Sequence, residues 1–239
     1  VDNPFDAYAE NPFAMPLGRK VAEEDICEAD VVIYVISRIS GEGKDRRKVK
    51  GDYYLSEREE EDLRYLAEMN KPVILILNAG GPVELTDILE QTDNIKGILN
   101  ISQLGQEGGD ALADVLLGKE VPGGKLTTTW ARRYEDYPAS EEYGYLNGNL
   151  EKEKYKEGIY VGYRYFDSFD KKVMFPFGFG LSYTMFEMKC CSINMEESKI
   201  RAEVQVTNTG NEYAGKEVVQ IYVTLPQTEL EKEYKRLAG

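Results

Sequence analysis

The sequence predicts an α/β fold, a mostly parallel sheet flanked by helices in an α/β sandwich, followed by a partial all-β sandwich. Two short apolar runs, residues 31–36 and 73–77, are rich in β-branched side chains and are typical of strands covered on both faces. Helical patterns alternate with such runs through residue 117, which favours a parallel sheet. From Phe186 onward apolar and polar residues alternate, as in strands of a β-sandwich.

The elements of the first part follow in order. Residues 19–28 form a helical pattern that leads into the strand at 31–36. The next helix begins at Ser56, a plausible N-cap with Glu59 three residues later, and ends at 70–72 with Asn-Lys-Pro. The remaining predicted elements are a strand at 73–77, a helix at 83–91, a strand at 95–101 and a helix at 107–117.

The second part begins with a change of composition near Trp130. Residues from about 131 to 170 are rich in Tyr, Glu, Gly and Asn, which we interpret as a long ordered connection. Strands are predicted at 200–207 and 217–224. An immunoglobulin-like sandwich needs about 100 residues, whereas 54 follow from Phe186 to the end. We therefore expect one domain over 1–184 and a truncated second domain over 185–239.

Charge and composition restrict the possible partners. The chain of 239 residues carries 29 basic and 43 acidic side chains, a formal charge of -14, which repels phosphate backbones and anionic lipid. No run of apolar residues approaches the 18 or so that a membrane helix requires. We expect neither nucleic acid nor a membrane as partner.

The chain has no histidine, which removes the commonest metal ligand and the commonest general base. Acid and base chemistry would fall to carboxylates, lysines or tyrosines, and we expect no metal and no cofactor. Three cysteines, Cys27, Cys190 and Cys191, offer no disulfide framework, which favours a reducing, cytoplasmic location. The chain shows no signal-peptide pattern and begins at Val1, which suggests a fragment of a longer protein.

A charged loop follows the first predicted strand and contains Gly41-Glu42-Gly43. Ligands of open α/β sheets bind outside the carboxyl ends of the strands. The flanking glycines allow tight turning and close approach of a ligand to the Glu42 carboxylate. The alternative is a solvated turn whose neighbours Lys44, Asp45, Arg46 and Arg47 form a charged rim, and the residues alone leave both open.

Several blocks of sequence resemble β-glucosidases of glycoside hydrolase family 3. They are SRISGEGKDR at 37–46, VILILNAGGPVE at 73–84, GQEGGDALADVL at 105–116, residues 118–128, YKEGIYVGYRYF at 155–166 and FPFGFGLSY at 175–183. Their order matches the second, α/β domain of those enzymes. The tail segments VTNTG at 206–210 and AGKEVVQIY at 214–222 resemble the start of the fibronectin III-like domain of many members.

The resemblance implies a function. Glu42 matches the acid/base glutamate that the α/β sandwich domain lends to a site whose nucleophilic aspartate lies on a (β/α)8 barrel. The only tryptophan, Trp130, follows Thr129, so the Asp-Trp pair that marks the family's nucleophile is missing. We therefore expect a fragment of a retaining β-glucosidase that is inactive alone. Its partners would be a β-glucoside or oligosaccharide substrate and the barrel domain of the full-length protein.

Two neighbouring residues and three alternatives complete the hypothesis. Asp45 and Arg46 are candidate substrate-binding residues, although a mutual ion pair would also explain them. The same scaffold serves β-xylosidases and other exo-glycosidases, and a non-catalytic carbohydrate-binding or structural module is the alternative outside enzymes. Nucleotide binding is disfavoured because Asn-Ala-Gly-Gly at 78–81 matches neither the dinucleotide fingerprint nor the phosphate loop.

Overall fold

A computed structural model describes residues 19–39, 46–141, 143, 151–152, 154–197, 199–226 and 228–239. The chain divides into two compact units. The first unit takes Val1–Gln106 and Ala131–Lys154, and the second takes Glu107–Trp130 and Tyr155–Gly239. The predicted division into domains 1–184 and 185–239 stays a prediction.

The first unit contains a three-stranded parallel sheet in the order β1-β2-β3. Its elements, in chain order, are α1 (Glu23–Ile26), β1 (Val32–Ser37), α2 (Glu57–Glu68), β2 (Val73–Asn78), α3 (Thr86–Gln91), β3 (Ile95–Asn100) and a 3-10 turn (Tyr134–Asp136). A two-residue strand, β4 (Trp130–Ala131), lies where the sequence ranges of the two units meet. The predicted parallel α/β arrangement is confirmed.

Helix α2 begins as its sequence predicts. The Ser56 hydroxyl accepts a hydrogen bond from the Glu59 backbone N–H at 3.2 Å, and the Glu59 carboxylate accepts one from the Ser56 backbone N–H at 2.7 Å. Leu63 and Leu66 are fully buried on one face of the helix. Asn70, with φ 52, takes the left-handed conformation that ends the helix.

Helices α2 and α3, which follow β1 and β2, lie side by side. The Tyr34 hydroxyl of β1 donates to the Asp62 carboxylate of α2 at 3.1 Å, so α2 covers the face of the sheet that carries Tyr34. Helix α3 contacts α2. Right-handed crossovers between strands in sequential order put successive helices on the same side of a sheet, and this geometry explains the shared layer.

The opposite face of β1 corrects one prediction. Val31, Ile33 and Val35 are 46%, 50% and 45% exposed, so the expectation that this strand is covered on both faces is wrong. Strand β2 meets the expectation better, since Ile76 on the same face is 0% exposed. An apolar run indicates that a strand can be buried on both faces. It does not indicate whether a second layer of structure covers the second face.

Two predicted helices are shorter in the structure. Helix α1 spans four residues rather than 19–28, and its N-cap, Ala22, has no side-chain hydrogen bond to offer. Helix α3 starts at Thr86 rather than at 83. Residue Glu84 instead forms a β-bridge with Tyr54, and its backbone N–H donates to the Tyr53 carbonyl at 3.0 Å.

The second unit is built from short elements and one long hairpin. They are α4 (Gly108–Leu116), α5 (Tyr163–Ser168), β5 (Val173–Phe175), β6 (Phe186–Glu196), β7 (Lys199–Asn208), β8 (Tyr222–Val223) and β9 (Arg236–Leu237). The strand predicted at 200–207 is confirmed as β7. The strand predicted at 217–224 shrinks to β8, because its antiparallel partner, β9, is only two residues long.

The β6–β7 hairpin has one apolar and one polar face. Cross-strand partners on the apolar face include Met188 with Val206 and Met195 with Ile200. These side chains are between 40% and 81% exposed. A bulge between Cys190 and Ser192 shifts the register of the hairpin.

Two further features of the described residues are the state of their cysteines and the length of their helices. Cys27, Cys190 and Cys191 are all free thiols. Within the described ranges, no helix combines the length and apolar character that crossing a membrane requires.

Candidate functional site

The candidate site lies at the carboxyl end of β1. Glu42 and Asp45, which carry the predicted acid/base and substrate-binding roles, lie outside the described residues. Arg38 immediately follows β1 and Arg46 resumes the described chain, so the structure shows both stems of the segment that contains Glu42.

Arg38 anchors the first stem. Its side chain forms a two-pronged ion pair with Glu59, in which Nη1 and Nη2 each donate at 2.7 Å to a different carboxylate oxygen. Its Nε donates to the Asp52 backbone carbonyl at 2.8 Å. Both charged side chains are at most 2% exposed. A paired, fully bonded guanidinium of this kind is strongly fixed in orientation.

Asp52 joins the two stems. Its side chain is completely buried and accepts from Arg46 Nε at 2.8 Å through Oδ1 and from the Arg47 backbone N–H at 2.6 Å through Oδ2. Its backbone carbonyl accepts from Arg38 Nε and from Arg46 Nη2. Gly51, with φ 80, supplies the left-handed turn that precedes Asp52. We call Arg38, Arg46, Asp52 and Glu59 the stem anchor.

Arg46 is the one predicted substrate-binding residue in the described chain. Beyond Asp52, its Nη1 donates to the Pro82 carbonyl, and its guanidinium lies 5.8 Å from the centre of the Tyr53 ring. Among the described residues, three of its five guanidinium N–H groups donate to Asp52 and to the Pro82 carbonyl. A substrate-binding role for Arg46 stays a prediction.

Two tyrosines near the stem anchor remain protonated over a wide pH range. Burial is the main cause that raises the pKa of Tyr53 and of Tyr54 above the ordinary value. The Tyr54 hydroxyl donates to the Glu135 carboxylate at 3.5 Å.

An open cavity of about 360 Å³ lies beside this region in the first unit. Its lining consists of Lys50, Tyr54, Leu55, Glu60, Arg64, Glu84, Asp87, Ile88, Arg133 and Glu135. Arg133 bonds both Glu84, at 3.1 Å, and Asp87. Burial raises the pKa of Glu84, whereas the Arg133 hydrogen bond lowers the pKa of Asp87. Ion pairs within the wall use these charges, so the cavity presents paired charges rather than a free acid or base.

Sequence reasoning did not identify the stem anchor. The sequence predicts only a helix-capping role for Glu59, and it predicts no functional role for Asp52 or Arg38. The available signals were weak: Gly51 before Asp52 marks a turn, and an acidic residue at the third helical position is ordinary capping chemistry. Among the described residues, no group of three or more His, Cys, Asp or Glu side chains is arranged to hold a metal.

Comparisons with known proteins identify relatives over most of the chain. Beta-glucosidase A of Butyrivibrio fibrisolvens is 39% identical over 251 aligned residues, covering 88% of this chain and 30% of the relative. A beta-glucosidase of Ruminococcus albus is 35% identical over 226 residues, covering 94% of this chain and 23% of the relative. The chain thus spans less than a third of these relatives.

Solved structures of β-glucosidases are similar to this chain in fold and in sequence. Beta-glucosidase 3B from Thermotoga neapolitana, solved in complex with alpha-D-glucose, is 40% identical with a TM-score of 0.82, covering 95% of this chain and 33% of that one. A beta-glucosidase from Paenibacillus barengoltzii is 35% identical with a TM-score of 0.87, covering 99% of this chain and 26% of that one. Residues 8–163 match the family described as glycosyl hydrolase family 3 C-terminal domain. The chain therefore belongs to the glycosyl hydrolase family 3 C-terminal domain family.

Proposed function

We propose that this chain is the part of a retaining β-glucosidase that supplies the general acid/base, Glu42. The full-length enzyme would hydrolyse terminal, non-reducing β-D-glucosyl residues. The observation that supports the proposal most directly is the stem anchor at the carboxyl end of β1. It fixes Arg38 and Arg46, the residues four positions before and four positions after Glu42, in a chain of this family.

The chemistry requires two carboxyl groups. In a retaining glycosidase one carboxylate attacks the anomeric carbon while the other, as an acid, protonates the departing oxygen. The second group then acts as a base and activates water, which hydrolyses the glycosyl-enzyme intermediate. We assign the acid and then the base role to Glu42, and we place the nucleophilic aspartate on a (β/α)8 barrel elsewhere in the full-length protein.

This assignment predicts that the 239-residue chain alone is inactive. The relatives named β-glucosidases are more than three times as long as the part this chain matches, which leaves room for a barrel. An aryl β-glucoside should not be hydrolysed by the isolated chain above the rate in buffer. Hydrolysis that Glu42→Gln abolishes would refute the two-part site.

The acid role is tested in the full-length protein with two leaving groups. A phenol with a low pKa leaves without a proton, whereas an alcohol needs one. We expect Glu42→Gln to lower kcat/KM for an alkyl glucoside by about 10²–10⁴-fold and to change kcat/KM for a dinitrophenyl glucoside much less. An equal loss with both substrates would remove the acid role from Glu42.

The sugar is proposed from the relatives. Those compared above are named β-glucosidases, and one was solved with glucose. We therefore favour glucosides over xylosides and over a non-catalytic module. A ratio of kcat/KM for aryl glucoside to aryl xyloside below one in the full-length protein would reverse the choice.

Residues 185–239 are proposed to begin a fibronectin III-like domain. A β-sandwich packs two apolar sheet faces against each other. The exposed apolar face of the β6–β7 hairpin supports the proposal, since Ile193 is 67% and Met195 is 81% exposed. We also propose a cytoplasmic location, supported by the three free thiols, which cell fractionation would test.

A further inference from the structure

We infer that the free edge of β1 is a docking site for a further β-strand, which the full-length protein supplies from polypeptide other than residues 1–239. The same polypeptide covers the open apolar face of β1. The inference rests on the part of the proposed function that makes this chain a portion of a larger enzyme. It does not depend on the role of Glu42.

The backbone of β1 is bonded on one side. Among the described residues, β2 is the one strand that pairs with it. The N–H groups of Val32 and Arg38 both donate to carbonyls of the segment 72–78, at 2.8 and 3.0 Å. Because the backbone groups of successive residues in a strand point to opposite sides, Ile33 and Val35 direct their N–H and C=O groups to the free edge.

The two edges of the sheet differ in their protection against pairing. At the other edge, β3 carries Lys96, which has no partner in the register because Val73 pairs with Ile95 and Ile74 pairs with Gly97. A lysine and a bulge at an edge both oppose the addition of a strand. Strand β1 has neither a charged residue nor a proline, and its register with β2 is regular throughout. The edge of β1 is therefore the one that accepts a further strand.

The side chains at the free edge also lack a covering layer. Val31, Ile33 and Val35 are about half exposed, whereas Ile36 on the other face of the strand is fully buried. Parallel sheets occur almost only with both faces covered. The strand thus has the composition of an internal strand and the exposure of an edge strand.

The additional length of the relatives identifies what occupies this edge. The chain spans less than a third of the β-glucosidases compared above, so a full-length protein of that size contains several hundred residues that could supply a strand and a covering layer. A second copy of the chain is a poorer occupant. Each copy has a formal charge of -14, and like charges of this size oppose association.

Amide hydrogen exchange tests the edge residue by residue. In the 239-residue chain we expect the amides of Ile33 and Val35 to exchange rapidly, whereas those of Val32 and Tyr34, which point to β2, exchange slowly. In the full-length protein a docked strand should slow Ile33 and Val35 by about 10²-fold or more. NMR measures the chain, and mass spectrometry with electron-transfer fragmentation measures the full-length protein.

Val35→Lys places a charge on the open face, and Met69→Lys is the matched control. Met69 is also an exposed apolar residue, but it follows α2 in the layer on the other side of the sheet. In the full-length protein we expect Val35→Lys to speed exchange of the Ile33 amide at least about tenfold, and Met69→Lys to leave it unchanged. Neither variant should alter the Ile33 amide in the 239-residue chain.

The wild-type full-length protein decides the inference even if a variant fails to fold. Rapid exchange of Ile33 and Val35 there, beside slow exchange of Tyr34, would overturn it. Slow exchange of Ile33 in the 239-residue chain would also overturn it. In that case, slowing that increases with chain concentration would assign the edge to a second copy, and slowing independent of concentration would mean that the chain covers its own edge.

The edge and the acid role can fail separately. The leaving-group dependence of Glu42→Gln reports on the proposed acid, whereas amide exchange in β1 requires no activity. Protection of Ile33 and Val35 in the full-length protein would support the docked strand even if the leaving-group test removed the acid role from Glu42.

Discussion

Arg38 and Glu59 form a fully buried, two-pronged ion pair with both N–O distances at 2.7 Å. The pair connects the residue after β1 to the first turn of α2, where Glu59 also caps the helix. Because each buried charge is neutralised by the other, removal of either side chain should lower the stability of the first unit.

Removal of one partner should destabilise the chain strongly. We expect Glu59→Ala to lower the free energy of unfolding by about 3–5 kcal/mol, the usual cost of leaving a buried charge unpaired. Ser56→Ala, which removes only the cap, should cost about 1 kcal/mol. Urea unfolding followed by circular dichroism measures both, and similar losses for the two variants would contradict the buried-pair argument.

The two isoleucines on the open face of the sheet provide a matched comparison. Ile33 is 50% exposed and Ile76 is 0% exposed. We expect Ile76→Ala to cost about 2–5 kcal/mol, whereas Ile33→Ala should cost less than about 1 kcal/mol. Urea unfolding of the 239-residue chain checks the difference. Equal costs would mean that another layer covers β1.

Glu84 and Asp87 share Arg133, but their pKa values are shifted in opposite directions. The pKa of Asp87 is lowered by Arg133, so its contribution to stability is present above its unfolded value of about 3.9 and is lost as the pH falls through the folded value. The pKa of Glu84 is raised by burial, so its contribution is present below its unfolded value of about 4.3 and is lost as the pH rises through the folded value.

Arg133→Gln tests this pair of shifts. Hydrogen bonds from Arg133 lower both pKa values, although burial outweighs them at Glu84. The variant should therefore raise the pKa of both carboxyls, as measured by carbon-13 NMR of the side chains. Arg132→Gln is the neighbouring control, since Arg132 pairs with Glu90 instead. An unchanged Asp87 titration in Arg133→Gln would contradict the assignment.

Two glycines in the second unit should respond oppositely to alanine. Gly118 has φ 71, and a Cβ there would lie 3.1 Å from the Tyr213 hydroxyl, so Gly118→Ala should cost about 1–2 kcal/mol. Gly109 lies in α4 with no atom within 4 Å of such a Cβ, so Gly109→Ala should stabilise by up to about 1 kcal/mol. Thermal unfolding distinguishes them, and a stabilising Gly118→Ala would refute the strain argument.

The fold was largely predictable because local patterns decide it. The β-branched runs of β1 and β2 and the Ser56–Glu59 cap of α2 are patterns of neighbouring residues. All three elements lie where the sequence predicts them. The exposure of Ile33 was not predictable, since it depends on which layers surround the sheet. The shortening of β8 had the same origin, because a strand lasts only as long as its partner.

The candidate site was predictable only in part. The role of Glu42 could be proposed only from the resemblance of its segment to a known family, because the flanking glycines alone are also compatible with a solvated turn. Asp52 could not, because its role arises from contacts with Arg38 and Arg46, residues 14 and 6 positions away. The presence of an aspartate in the sequence does not indicate which hydrogen-bond donors its side chain contacts in the folded chain.

The carbonyl of Asp52 has a consequence for natural variation at this position. Two of the four links to the stems are made by that carbonyl, a group that every amino acid possesses. Substitution of the Asp52 side chain during evolution would therefore remove two of the four hydrogen bonds between residue 52 and the stems and leave the other two. Homologous enzymes could drift at this site and recover through compensating changes nearby, provided that the bend placing the carbonyl is kept.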